Sequence, residues 1–216
     1  MAKQDYANLR WRVAQAAEIR WWRQYLRRQP AEVYLAQKAA YWRRLMDEVG
    51  MVFRPGERLL DAGCGPAGIF MVLEGAEVTA VDPLLGRYRE LPHFDPGDYP
   101  FVEFRELALE ELSDCAEYEQ VFCLNAINHV ADLEGSLRGL RRALRPGGRA
   151  WISVDVHRFR WLQPVFRVLP GDVLHPHQFT LEQYRGLLLR AGFRVEGEWR
   201  LKPGGIFEYW MFLAVG

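Results

Sequence analysis

The stretch Leu59–Phe70, LLDAGCGPAGIF, decides the fold. Two apolar residues run into an acid and then into three glycines spaced G-x-G-x-x-G. The apolar run reads as a buried strand, and the glycines bare the backbone where the chain turns. In an open α/β sheet, a ligand sits beyond the carboxyl ends of the strands, where the strand order reverses. Gly63 and Gly65 therefore remove side chains where a ligand would touch backbone. Residues Pro66 to Glu74 read as the following helix, with Pro66 in its first turn and Gly75 ending it. The free N–H groups of that helix would face an anionic part of the ligand.

Outward from this turn, strands and helices alternate. Strands are expected at Arg58–Ala62, Glu77–Val81, Phe101–Arg105, Gln120–Leu124, Arg149–Val154, Phe193–Leu201 and Ile206–Val215. Helices are expected over 31–49, over Leu133–Leu144 and from Thr180 to Ala191. Arg145-Pro146-Gly147-Gly148 reads as a sharp turn, and Lys202-Pro203-Gly204-Gly205 between the last two strands reads as a hairpin. Residues 5–28 contain neither Gly nor Pro and read as a further helix, stopped by Pro30. The fold class is α/β: a doubly wound, mainly parallel, seven-stranded sheet with a C-terminal antiparallel hairpin strand, preceded by an N-terminal helical pair. Residues 1–50 form a helical arm or lid, and residues 51–216 form the Rossmann-like domain.

The bulk composition fits one such domain. The chain has 216 residues, half of them apolar. No apolar run approaches the roughly 20 residues of a membrane span, and the first residues, MAKQDYANLRWRV, lack the apolar stretch of a signal peptide. Cys64, Cys115 and Cys123 show no metal-ligand spacing and suit a reducing compartment, so a cytoplasmic location is expected and a metal is not. The whole chain balances 28 Lys/Arg against 28 Asp/Glu, yet residues 1–49 carry ten basic and five acidic residues. That local excess suits either an anionic partner or a solvated helical face packed on an acidic body.

Two cofactor types compete for the glycine turn, because the spacing alone also matches a dinucleotide fingerprint. Asp61 bears on the choice. A carboxylate two residues before the first glycine would repel a pyrophosphate and attract a sulfonium or ammonium group. Asp82 ends the next strand, 19 positions after Gly63. A carboxylate there accepts both hydroxyls of a ribose, which either cofactor carries.

LLDAGCGPAGIF, VTAVDP, the strand VFCLNAINHV, LRPGG and the strand RAWISV together resemble a class I, seven-stranded S-adenosylmethionine-dependent methyltransferase over roughly residues 50–216. The resemblance implies that Gly63, Cys64 and Gly65 line the methionine part and that Asp61 orients its ammonium group. It also implies that Asp82 takes the ribose, that Pro83 lies near the adenine, and that the Asn125 carbonyl faces the methionine. One departure stands out. Where the family often has an Asp that reads the adenine amino group, this chain has Ala108. Leu109 still offers its backbone N–H, and Glu106 or Glu110 could substitute.

Methyl transfer needs alignment and exclusion of water more than acid–base groups. His129, just past the fourth strand, is the candidate base, with a helix-start histidine bonded to backbone as the alternative. His175 and His177 lack a third metal ligand and read as a loop beside the acceptor. His93 and His157 stand alone. Cys64 reads as a small packing residue beside the cofactor. Trp11, Trp21, Trp22, Tyr25, Tyr34, Tyr41 and Trp42 read either as ordinary burial or as a lid that walls the acceptor pocket; stacking on nucleic acid is disfavoured because the domain is not strongly basic. The connection 155–180 would supply Phe159, Trp161, Phe166 and Phe179 to a pocket, with Arg158, Arg160 and Arg167 beside them.

The expected function is methyl transfer from S-adenosylmethionine to an oxygen or nitrogen of a small organic acceptor, with no membrane or nucleic-acid partner. Two alternatives are a nicotinamide-dinucleotide oxidoreductase and a non-catalytic module on the same fold.

Overall fold

The computed structural model describes residues 19–20, 22–157, 179–204 and 207–216. Seven strands form one sheet: β1 (Arg58–Ala62), β2 (Glu77–Val81), β3 (Val102–Arg105), β4 (Tyr118–Leu124), β5 (Leu144–His157), β6 (Arg194–Lys202) and β7 (Phe207–Val215). Their order is β3-β2-β1-β4-β5-β7-β6. The first five pair in parallel, and β7 runs antiparallel between β5 and β6. The order reverses between β1 and β4, and that crevice holds the glycine turn.

The central strands bury both faces. Along β1, Leu59 packs on one side of the sheet with Phe70, Phe122 and Trp151, while Leu60 packs on the other with Val121, Ile152 and Leu140. That is the two-residue period of a sheet covered on both sides.

Among the described residues, three helices of ten residues or more flank it: α1 (Ala31–Val49), α2 (Leu133–Ala143) and α3 (Leu181–Arg190). Tyr34, Trp42, Leu45 and Val49 place one stripe of α1 in the same core as β1. Each such large side chain contributes roughly 1.5–3 kcal/mol on burial. The Trp42 Nε1–H also donates to the Ala67 carbonyl at 3.0 Å, pinning α1 to the segment after the glycine turn. Gly50 closes α1 in the left-handed region, φ +71, with its N–H on the Met46 carbonyl. α3 opens on a reciprocal cap: Thr180 Oγ1 accepts from the Gln183 N–H, and Gln183 Oε1 accepts from the Thr180 N–H. α2 and α3 cover the opposite sheet face. Residues 19–20 and 22–26 are helical, within the N-terminal helix expected from sequence.

Two expectations are corrected. No α-helix follows the glycine turn. Residues 65–72 form two short 3₁₀ turns, Gly65–Ala67 and Ile69–Val72, separated by Gly68 in an extended conformation. The cause is Asp61, whose Oδ2 accepts the Phe70 N–H at 3.0 Å and takes a donor that a helix would have used. A Cβ on Gly68 would lie 2.4 Å from that same oxygen, so only glycine fits there. The fifth strand also begins earlier than expected, at Leu144. The Arg145–Gly148 turn is absorbed as an irregularity, the register stepping from Tyr118–Leu144 to Gln120–Arg149.

Candidate active site

β1 delivers Asp61, Gly63 and Gly65 to the carboxyl edge of the sheet. Gly63 has φ +74, and a Cβ there would sit 2.3 Å from the Ala126 Cβ. The turn is thus pressed against the segment leaving β4. Gly65 also has a positive φ, +58, but nothing lies within 4 Å of where its side chain would be. The backbone at Gly65 therefore opens onto free space, a cradle with room for a ligand against main chain.

Asp82, at the end of β2, holds this turn. Its Oδ2 accepts the Gly65 N–H at 3.0 Å, and its Oδ1 accepts the Leu84 N–H at 2.9 Å. Each carboxylate oxygen has more than one acceptor position. The Gly63 and Cys64 N–H groups donate to the Val81 carbonyl at 2.8 and 3.1 Å, so the turn rests on β2.

Asp61 departs from its expected place. It is only 2% exposed and faces inward, onto the Gly68–Phe70 segment. Burial, and secondarily the neighbouring Asp82, push its pKa up to about 7, against the pull of the Phe70 N–H. Near neutrality it is therefore only partly ionised. The sequence-based contrast between diphosphate and sulfonium does not rest on an open carboxylate at the mouth. Asp61 is a clamp beneath the turn.

The Cys64 thiol is buried and held well above its ordinary pKa by desolvation, then by Asp82 and Asp61. It is a packing residue without thiolate character. Pro83 follows Asp82 directly, within the Asp82–Leu84 turn. Ala108 precedes a 3₁₀ turn, Leu109–Glu111, and Leu109 is buried among residues of α2. The two substitutes considered for the adenine contact are engaged. Glu106 Oε2 accepts the Gly86 N–H at 2.9 Å, and Glu110 Oε1 accepts the Ala131 N–H at 2.6 Å and the Asp132 N–H at 3.2 Å.

Asn125, just beyond β4, is exposed and left-handed, φ +56. Asn tolerates that region best among side-chain-bearing residues. Its N–H donates to Ser153 Oγ at 2.8 Å, and Ser153 Oγ lies 2.5 Å from the Tyr209 hydroxyl. The edge of β4 is thus bonded to β5 and, through it, to β7.

Beyond Asn125 lies an open cleft of about 450 Å³, within the range of small-molecule sites. Tyr34, Lys38, Tyr41 and Trp42 of α1 form one wall; Asn125 and Asp155, from the ends of β4 and β5, belong to another. Lys202 and Tyr209 reach it from β6 and β7. Sequence reasoning singled out the α1 aromatics and Asn125 but missed Lys38, Asp155, Lys202 and Tyr209. The signal for Lys38 was present: Tyr34, Lys38, Tyr41 and Trp42 follow i, i+4, i+7, i+8 spacing, a cation on an otherwise aromatic stripe.

His129 sits on the 3₁₀ turn Ile127–His129, half-buried, its N–H on the Ala126 carbonyl at 3.0 Å. It is not among the residues lining this cleft. Its neighbour Asn128 is buried and accepts from the Tyr184 hydroxyl at 2.6 Å. Phe179 stacks edge-on against Tyr184, centroids 5.5 Å apart. Trp11, Trp21, Arg158, Phe159, Arg160, Trp161, Phe166, Arg167, His175 and His177 lie outside the described residues. No described helix is long and apolar enough to cross a membrane.

Comparison with known proteins agrees with this geometry. A family model described as a methyltransferase domain matches residues 34–198. A ubiquinone biosynthesis O-methyltransferase of Pseudomonas savastanoi pv. phaseolicola is 34% identical over 107 residues, 45% of this chain and 44% of that protein. The match thus spans less than half of that relative. Among solved structures, a Burkholderia thailandensis 1,6-didemethyltoxoflavin-N1-methyltransferase, bound to its acceptor and S-adenosylhomocysteine, superposes with a TM-score of 0.64. It is 20% identical, and the superposition covers 98% of this chain and 89% of that one. The [4+2]-cyclase SpnF shares the fold as well, with a TM-score of 0.61 and 15% identity over 82% of this chain and 80% of that one.

Proposed function

The chain belongs to the methyltransferase-domain family of class I, S-adenosylmethionine-dependent enzymes, and from that membership we propose that it methylates an oxygen or nitrogen of a small organic acceptor held in the cleft beside Asn125. The observation that supports this reading is a close approach in the chain. Gly63, two residues before the open backbone of Gly65, is pressed against Ala126, and Asn125, next to Ala126, lines the acceptor-sized cleft.

The residues present suit the cofactor. Gly63 and Gly65 would meet its methionine part through backbone, Asp82 would accept from its ribose hydroxyls, and Leu109 would border the adenine. When bound, the cofactor supplies a methyl group already activated on a sulfonium. What remains for the protein is alignment and dryness. α1, anchored by Trp42, supplies an aromatic wall that excludes water, and Asn125 is fixed by Ser153 and Tyr209 so that the boundary between the two spaces is rigid. His129, outside the cleft lining, would serve as a base only for an acceptor that arrives protonated.

Transfer of labelled methyl from the cofactor to a component of a metabolite extract tests this reading. Labelled product with the wild-type chain, and much less with Asp82→Ala at a cofactor concentration below saturation, is expected. S-adenosylhomocysteine binding without transfer to any acceptor would instead favour a use of the fold other than methylation, as the cyclase exemplifies.

A further inference from the structure

The Lys38 ammonium group lies over two aromatic rings at the cleft wall, 5.5 Å from the centroid of Tyr41 and 5.3 Å from that of Trp42. It makes no ion pair among the described residues. Burial lowers its pKa, so its charge is poorly hydrated where it stands. The rings stabilise it only in part. Lys202 brings a second cation to the same cleft, against a single described carboxylate, Asp155. Asp155 also helps to raise the pKa of the buried Tyr184 hydroxyl.

The walls are aromatic as well. Tyr25, Tyr34, Tyr41, Trp42 and Tyr209 all border the space, and Tyr25 meets Tyr34 edge-on at 6.0 Å. Flat rings favour a flat guest, stacked or edge-on. A neutral guest would expel water from around Lys38 and leave its charge without compensation, which is costly. A guest with an oxyanion would supply the missing counter-charge.

Resting on the methyltransferase reading above, we propose that the cleft takes a planar aromatic acceptor ionised at a phenolic or enolic oxygen, and that Lys38 is the residue that binds this oxyanion. The acceptor gives its proton to solvent on binding. Its oxyanion then forms an O–C bond to the methyl carbon as the C–S bond breaks. The electron pair stays on sulfur, and the products are a methyl ether and S-adenosylhomocysteine, neither charged at the reacting atoms. Lys38 selects the acceptor by charge, and α1 carries both the selecting cation and the rings that flank it.

The test uses 4-nitrophenol as probe and the full chain saturated with S-adenosylhomocysteine. The yellow phenolate band is followed at a pH below the probe's own pKa. A saturable rise in phenolate is expected with the wild type. Lys38→Gln should weaken probe binding by about tenfold or more, Lys38→Arg should retain most of it, and both should bind S-adenosylhomocysteine within about twofold of wild type. Unfolding midpoints of the variants verify that they are folded. No phenolate rise with the wild type, or equal probe binding by Lys38→Gln, overturns the proposal. So does a parallel loss of S-adenosylhomocysteine affinity, which would assign Lys38 to the cofactor's carboxylate. Failure of the wild type to bind S-adenosylhomocysteine at all would strike the methyltransferase reading itself and is thereby distinguished.

Discussion

Asp82 Oδ2 accepts the Gly65 N–H at 3.0 Å, so the carboxylate at the end of β2 holds in place the turn that leaves β1. The same group that shapes the cradle is thus the one placed to accept from a ribose within it. Asp82→Ala removes both functions. Its affinity for S-adenosylhomocysteine should fall by an amount equivalent to roughly 1–3 kcal/mol, measured by calorimetry. Asp82→Asn, which keeps one acceptor oxygen, should fall between. Unchanged affinity in Asp82→Ala would remove this residue from the site.

Gly63→Ala tests how closely the turn is pressed on β4. The substitution meets the Ala126 Cβ at 2.3 Å and must also hold a left-handed backbone. The clash and the backbone strain together should cost roughly 2–4 kcal/mol of stability. The double variant Gly63→Ala/Ala126→Gly relieves the clash but not the strain, so denaturant unfolding should show partial recovery. Full additivity of the two changes would show that the contact is not felt.

Asp61 makes a signed prediction for pH. Its folded pKa of about 7 lies above its ordinary value of 3.8. The folded state therefore holds this proton more tightly than the unfolded chain. The resulting stabilisation is complete below the ordinary value and is lost as pH rises through about 7. Asp61→Asn should remove that decline, flattening the unfolding midpoint between the ordinary value of 3.8 and about 7. An undiminished decline across that range in the variant would contradict the assignment.

The slope attributed to His93 has the opposite sign. The ring is 4% exposed and meets Tyr34 of α1 edge-on at 5.4 Å. Burial lowers its pKa, with a smaller opposing pull from the Gln29 backbone. Its contribution is present above the ordinary histidine pKa of about 6.5 and is lost as pH falls toward the lowered folded value. His93→Phe should abolish this acid-side loss, read from unfolding midpoints across that range. A wild-type acid slope retained in the variant would show that His93 does not carry it.

Much of the fold was legible because the signals were local. Short apolar runs marked β1 and β2 at their observed bounds, and Thr180 marked the start of α3. The segment after Gly65 was misread because its helix-like composition was overridden by one tertiary bond, from the Phe70 N–H to Asp61. No local pattern shows that a strand acid will turn inward. Of the candidate site, Gly63, Gly65 and Asp82 meet in one turn at the sheet edge because the β1 and β2 ends are neighbours, and Asn125 stands at the end of β4 beside Ala126, which Gly63 meets. Lys38, Asp155, Lys202 and Tyr209 come from four separated elements, and only the folded chain shows that they share one cleft. His129 reads as poised in sequence because it follows Asn125 closely, yet a single 3₁₀ turn is enough to take it away from the cleft lining.

The central claim is that the Gly65 cradle and Asp82 bind a phosphate-free adenosine cofactor. Calorimetric titration of the wild-type chain with S-adenosylhomocysteine, and separately with NADH, tests it most directly. Saturable one-site binding of the thioether, with none of the dinucleotide, is the expected result. Binding of NADH in the absence of any response to S-adenosylhomocysteine would contradict it.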